Sequence, residues 1–109
     1  MAGSNQLYTI RLTDKAKEDL WREIDFLNLE RDNLGEEFFD DIQQTLERLM
    51  QNPFLYAELI LFVRRGLLKK FKFQVFYAVD EVNIEVEVIG ILHQKQDPKI
   101  ILDRLNIEF

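Results

Sequence analysis

Apolar and polar residues alternate along Leu7-Tyr8-Thr9-Ile10-Arg11-Leu12, with Tyr8, Ile10 and Leu12 on one side, which predicts a strand. Thr13 follows with a side-chain oxygen suited to capping a helix. Beyond it Ala16, Leu20, Ile24 and Leu27 recur at helical spacing and define one buried stripe. Asn33-Leu34-Gly35 has the composition of a turn, with Gly35 suited to a left-handed backbone position. A second helix is predicted from about Glu36, with Phe39, Ile42, Leu46 and Leu49 on its buried face and Phe38 and Met50 at the margins. Asn52-Pro53 closes it, because proline disfavours helical geometry in the residue before it. A loop this short folds the two helices back as an antiparallel hairpin.

Each helix therefore needs a surface to cover, and the second half of the chain supplies one. Leu61–Arg65, Leu68–Val79 and Asn83–His93 are rich in aromatic and β-branched residues, with Gly66 in the first gap and Asp80 and Glu81 in the second. In the middle segment Phe71, Phe73, Val75, Tyr77 and Val79 fall on one face, and Lys70, Lys72, Gln74, Phe76 and Ala78 on the other. In the last, Ile84, Val86, Val88, Gly90 and Leu92 alternate with Glu85, Glu87, Ile89, Ile91 and His93. The expected arrangement packs one sheet face on the hairpin and leaves the other open, carrying Lys70, Lys72 and His93. Pro98 starts a short terminal element with Ile101, Leu102 and Leu105. The predicted fold is α+β: strand, antiparallel helical hairpin, three-stranded antiparallel meander and short C-terminal helix, with the helices on one face of a single small sheet. Residues 1–6 read as a flexible leader, 7–105 as one domain and 106–109 as a tail. The pattern leaves open where the first strand enters the sheet.

Composition narrows the class. Over 109 residues, 47% are hydrophobic and 31% charged, which is the balance of a soluble globular chain. No apolar run approaches the roughly 20 residues that span a bilayer, so no membrane partner is expected. The absence of cysteine removes disulfide and thiolate chemistry and suits the cytoplasm. With one histidine besides, neither a metal site nor a cofactor is expected. The net charge is -6, yet Val63–Phe73 holds Arg64, Arg65, Lys69, Lys70 and Lys72 without one acid, while Asp14–Met50 is predominantly acidic. A field segregated in this way offers a focused positive patch to a phosphate, a carboxylate or an acidic peptide.

Four signals recur in a familiar order. They are Leu-Thr-x-x-Ala-x-x-Asp-Leu from Leu12 to Leu20, Leu-Gly-x-x-Phe from Leu34 to Phe38, and Asn52-Pro53. The fourth is Val63-Arg64-Arg65…Leu68…Phe71-Lys72-Phe73-x-Val75-x-Tyr77-x-Val79, followed by His93…Asp97-Pro98…Arg104. Together they resemble the RelE/ParE superfamily of toxins from bacterial type II toxin–antitoxin systems, nearer its ParE-like branch, over roughly Tyr8 to Leu105. The resemblance implies the same strand–hairpin–meander layout and a role in plasmid stabilisation. It implies a cognate antitoxin whose disordered segment folds along the toxin, and assembly as a homodimer or a toxin–antitoxin heterotetramer. It implies as target either DNA gyrase, which ParE-like members inhibit, or the ribosome, where RelE-like members cut mRNA. A binding module that keeps only antitoxin recognition is the third reading.

Two departures bear on that choice. Phe71-Lys72-Phe73 stands where many members have Phe-Pro-Tyr, and Gln96 stands where many have an arginine after the histidine. The missing arginine and the acidic body favour a protein target over ribosomal RNA. The expected partner-binding residues are Arg64, Arg65, Lys69, Lys70, Lys72, Phe76 and Lys95. If the chain is a ribonuclease, His93 with Arg64, Arg65, Lys70 and Lys72 would supply the proton transfers and the cations around the phosphate. The plainer alternatives are a lysine-studded strand that guards a sheet edge and a strand-end histidine bonded to backbone. Arg64 and Arg65 should point to opposite faces, one of them bracing a helix carboxylate. Tyr77 reads as core and Asp97 as the cap of the final turn. Trp21, Phe26 and Leu29 lie off the helix stripe and mark either a partner surface or packing beneath Asn52–Ile60.

Overall fold

The computed structural model describes residues 6–106; the expected leader, Gln6 apart, and most of the expected tail lie outside them. The chain runs β1 (Thr9–Leu12), α1 (Asp14–Glu30), α2 (Leu34–Gln51), β2 (Glu58–Ile60), β3 (Val63–Leu67), β4 (Phe73–Asp80), β5 (Glu85–His93) and α3 (Lys99–Arg104). The architecture is α+β, with strand order β1-β5-β4-β3-β2. β1 is parallel to β5, from Thr9↔Glu85 to Leu12↔Val88, and the other pairs are antiparallel. The meander gains β2, a three-residue strand in the 52–62 connection too short to show a period.

The helices form as their caps and stripes dictate. Thr13 accepts the Ala16 N–H at 3.1 Å, and Ala16, Leu20, Ile24 and Leu27 are buried. In the inter-helix turn the left-handed residue is Asn33 (φ 68°), not Gly35. Gly35 is needed for close approach instead, since a Cβ there would stand 2.6 Å from the Ile24 carbonyl oxygen. α2 starts at Leu34, two residues before the expected Glu36, and its buried face is Gly35, Phe38, Asp41, Ile42, Thr45 and Leu49, turned toward Phe38 from the expected Phe39–Leu46 row. Phe38 is at the core, with Ile42 and Leu49, while Phe39 is partly buried and stacks on Trp21 at 6.3 Å. Trp21, Phe26 and Leu29 are exposed.

Two apolar layers sandwich the sheet. The larger joins the helical hairpin to Phe73, Val75, Tyr77, Val86, Val88 and Ile91. The smaller gathers Val63, Phe76, Ile89 and Leu92 beneath Ile101 of α3. The second face is therefore covered by the terminal helix rather than open, and Phe76, expected to meet a partner, is 0% exposed. Gly66 lies within β3, and β4 begins at Phe73, so residues 68–72 are a loop and not strand. Lys70 and Lys72 accordingly leave the end of the sheet and not its face.

A β-bulge changes β5 as well. Phe76 pairs with Gly90 but Tyr77 pairs with Val88, so Ile89 is an extra residue and reverses the alternation after it. Val86, Val88, Ile91 and His93 share the hairpin face, and Leu92 joins the α3 side. His93 thus departs from its predicted face.

Candidate functional site: a basic loop at the end of the sheet

The loop 68–72 owes its shape to Asp41, which α2 carries within its buried face. The Asp41 carboxylate accepts the backbone N–H groups of Lys70 at 2.8 Å and Phe71 at 3.0 Å, with Lys69 at 3.4 Å. Backbone amides gathered around one carboxylate form an anion nest. Its occupant is internal, so only the lysine side chains remain for a partner. Lys69, Lys70 and Lys72 are all exposed. Lys70 lies on the α2 side, near enough to Glu37 to help lower that carboxyl's pKa, after the larger effects of the hydrogen bond and charge of Arg31.

Strand pairing then brings the end of β5 to this loop. Gln94 donates its N–H to the Lys72 carbonyl at 2.9 Å, and Phe73 pairs with His93. The imidazole packs edge-on against the Phe73 ring at 5.0 Å, and its Nδ1 accepts the Lys95 N–H at 3.0 Å. Gln96 Oε1 accepts the His93 N–H at 2.9 Å. The residue in the expected arginine's place therefore holds the histidine's own turn. From α1, Glu23 faces the same corner. Partial burial pushes its carboxyl above the ordinary range, and the charges of His93 and Arg22 pull it part of the way back. Lys72, His93 and Lys95 are thus gathered at one end of the sheet.

The arginines lie elsewhere. Arg64 is half-buried on the hairpin face, where it donates to the Tyr56 carbonyl at 2.7 Å and lies over the Phe54 ring at 5.1 Å. It braces the 52–62 connection, not a helix carboxylate. Arg65 pairs with Phe76 and so points to the opposite face, as its adjacency to Arg64 predicts. The five basic residues grouped by sequence therefore separate in space: three lysines form the loop, and the two arginines part across β3. Tyr77 is core, its hydroxyl donating to the Pro53 carbonyl at 2.7 Å and its pKa pushed up to about 12 by burial. Asp97 caps the last helix through the Lys99 N–H at 2.9 Å.

Three acids had no role assigned from sequence, although Asp19 stands in the Leu12–Leu20 signal. Asp41 had a visible signal, being a charge three residues from Phe38 and one from Ile42 on an apolar face. Asp19 is 2% exposed, accepting the Ile91 N–H at 2.9 Å and both terminal nitrogens of Arg104 at 2.6 and 2.9 Å. Glu23 gave no signal, because its neighbour His93 was expected on the other face. Among the described residues no group of His, Asp and Glu is placed to hold a metal ion. Nor is any described helix long and apolar enough to cross a membrane.

Comparison with known proteins follows the same lines. Residues 10–98 match the family described as the ParE toxin of the type II toxin–antitoxin system parDE. No curated protein gives a significant match. Among solved structures, a chain of the chromosomal ParDE system of P. aeruginosa is 19% identical, with TM-score 0.69 over 82% of this chain and 98% of that one. A chain of the RelBE2 toxin–antitoxin complex of Mycobacterium tuberculosis is 16% identical, with TM-score 0.60 over 80% and 98%. A mutant of the E. coli toxin RelE in the free state is 15% identical, with TM-score 0.63 over 90% and 93%. At these identities the structures share the fold, and the family match covers most of the chain. The chain belongs to the ParE toxin family of type II toxin–antitoxin systems.

Proposed function

We propose that this toxin acts by binding and obstructing a protein target such as DNA gyrase, and that a cognate antitoxin holds it inactive. The observation that carries the choice of mechanism is the setting of His93. The imidazole lies on the hairpin face against Phe73 with Nδ1 engaged by backbone, and Gln96 beside it offers no cation. A ribonuclease of this fold needs a proton-transfer group with cations at the phosphate, and Arg64 and Arg65 lie apart from the histidine. The net charge of -6 also opposes docking into ribosomal RNA. The lysine loop, by contrast, suits an acidic protein surface. The complexes among the structural relatives support the antitoxin.

The test sets a gyrase supercoiling assay beside a ribosome-dependent mRNA cleavage assay, both with the purified protein. Gyrase inhibition should survive His93→Gln and be lost on reversing Lys72 and Lys95 to Glu. The convergence of Lys72, His93 and Lys95 at one end of the sheet is what favours the endonuclease reading. Codon-phased mRNA cuts that vanish in the His93→Gln protein would establish it in place of ours.

A further inference from the structure

Glu23 stands at the lysine end without a structural task. Its place there follows from how α1 runs along β5. Thr13 donates its N–H to the Val88 carbonyl, and one and a half turns later Asp19 accepts the Ile91 N–H at 2.9 Å. From that contact α1 rises roughly 6 Å to residue 23, while two residues of strand advance roughly 6.6 Å to residue 93. The Glu23 carboxyl is thereby carried to the His93 imidazole on the hairpin face. Arg22, the cation next to it in sequence, is taken by Asp19 at 2.8 Å. Among the described residues Glu23 makes no hydrogen bond and no ion pair. Partial burial disfavours its charged form. Glutamine would fill the same space without that penalty, so packing does not account for the carboxylate.

A carboxylate beside a histidine can orient a catalytic base, but that role needs a hydrogen bond between them. Here the imidazole Nδ1 accepts the Lys95 N–H instead, and Glu23 bonds to neither ring nitrogen. What remains is the field of the carboxylate, which acts without contact and acts more strongly where water is partly excluded. Lys72, His93 and Lys95 would otherwise form a phosphate site, since cations with a titratable group are what a polyanion seeks. We propose that Glu23 is the specificity-determining residue of this end of the sheet and excludes a phosphodiester backbone from the His93 corner. A nucleic acid repeats its negative charge at every nucleotide and cannot pass His93 without meeting the carboxylate. A protein surface can set an amide, a hydroxyl or a basic group against Glu23 and its own carboxylates against the lysines. The inference rests on the reading that the lysine end receives a protein, and it names the residue that rejects RNA there.

The test measures binding of the full chain to an unstructured oligouridine, with gyrase supercoiling assayed beside it. Wild type should bind the oligouridine weakly. Glu23→Gln should bind it about tenfold or more tighter at low salt. Its log–log salt slope should steepen by about 0.7, the value of one further phosphate contact on a single strand. Glu23→Asp should behave as wild type, and the gain should disappear when Lys72 and Lys95 are also reversed to Glu. Glu47→Gln is the control for net charge, because Glu47 lies beside Leu7 and Met50 rather than the lysine loop. A gain in Glu23→Gln no larger than in Glu47→Gln, with both proteins folded by circular dichroism, would overturn the assignment. So would codon-phased mRNA cuts by wild type that Glu23→Gln abolishes, which would make the carboxylate a catalytic partner of His93. A wild-type protein that leaves gyrase uninhibited while the oligouridine results hold would overturn the protein-target reading and leave the role of Glu23 standing.

Discussion

Asp41 shows how a single residue can organise a site it does not join. Its carboxylate replaces the backbone partners that Lys70 and Phe71 lack between β3 and β4. Hydrogen bonds to a charged group contribute roughly 1.5–3 kcal/mol, and an orphaned buried donor costs as much again. Asp41→Ala should therefore destabilise the protein by about 2–4 kcal/mol in chemical denaturation and speed amide exchange at Lys70 and Phe71. A change below about 0.5 kcal/mol would mean that water serves the loop equally well. Glu23 has the opposite sign. A carboxyl whose pKa folding has raised gives stability that is present below its ordinary 4.5 and lost as pH rises through the folded value. Glu23→Gln should then raise Tm at pH 7, and the gain should fade by about pH 4, where both side chains are neutral. A gain equal at both pH values would point to packing instead. Asp41 stood out as a charge on an apolar helix face, but neither role was legible, because each depends on what a distant loop or strand end brings alongside.

At the scale of elements, what could be read from the chain was whatever depends on local period and caps: Thr13, the α1 stripe, Asn52-Pro53 and the odd-numbered row of β4 all stand where the pattern puts them. What could not be read was parity across an irregularity. One extra residue at Ile89 turned His93 to the helices, and alternation alone cannot reveal a bulge. β1 covers β5 only as far as Val88, so the edge beyond it is served by side chains instead. Ile91 donates to Asp19, and Arg104 reaches over Gly90 to the same carboxylate and to the Ile89 carbonyl at 3.1 Å. A Cβ at Gly90 would stand 2.8 Å from that guanidinium. Motif residues at the two ends of the chain are thereby joined, and α3 is fixed over its face of the sheet. Arg104→Ala should cost about 3 kcal/mol, toward the lower end for a broken buried pair because Arg22 and Ile91 still serve Asp19. It should also raise exchange across α3 first. Loss of under 1 kcal/mol, with α3 still protected, would show that Ile101 alone holds the helix.

For the whole molecule, the deciding property is where the charge lies rather than its sum. The helical hairpin carries most of the acid, and four of the seven lysines, Lys69, Lys70, Lys72 and Lys95, all exposed, gather where β3 and β5 end and β4 begins, beside loop 68–72. The structure also ranks those lysines. Lys70 is already near Glu37 of α2, whereas Lys72 and Lys95 flank His93 at the end of β5. A partner steered to this end should therefore feel Lys72 and Lys95 more than Lys70. Steering of this kind acts chiefly on the association rate and weakens once the Debye length falls to about 10 Å near 0.1 M salt. Reversing Lys72 and Lys95 to Glu should slow association with the protein target or the antitoxin by about tenfold or more at low salt. It should also flatten the salt dependence, while Lys70→Glu alone does less. Stopped-flow association measured from low to high ionic strength decides the matter, because folded-state stability does not enter the rate's salt slope. An on-rate with the same slope in wild type and double variant would show that the lysine end is not where partners arrive.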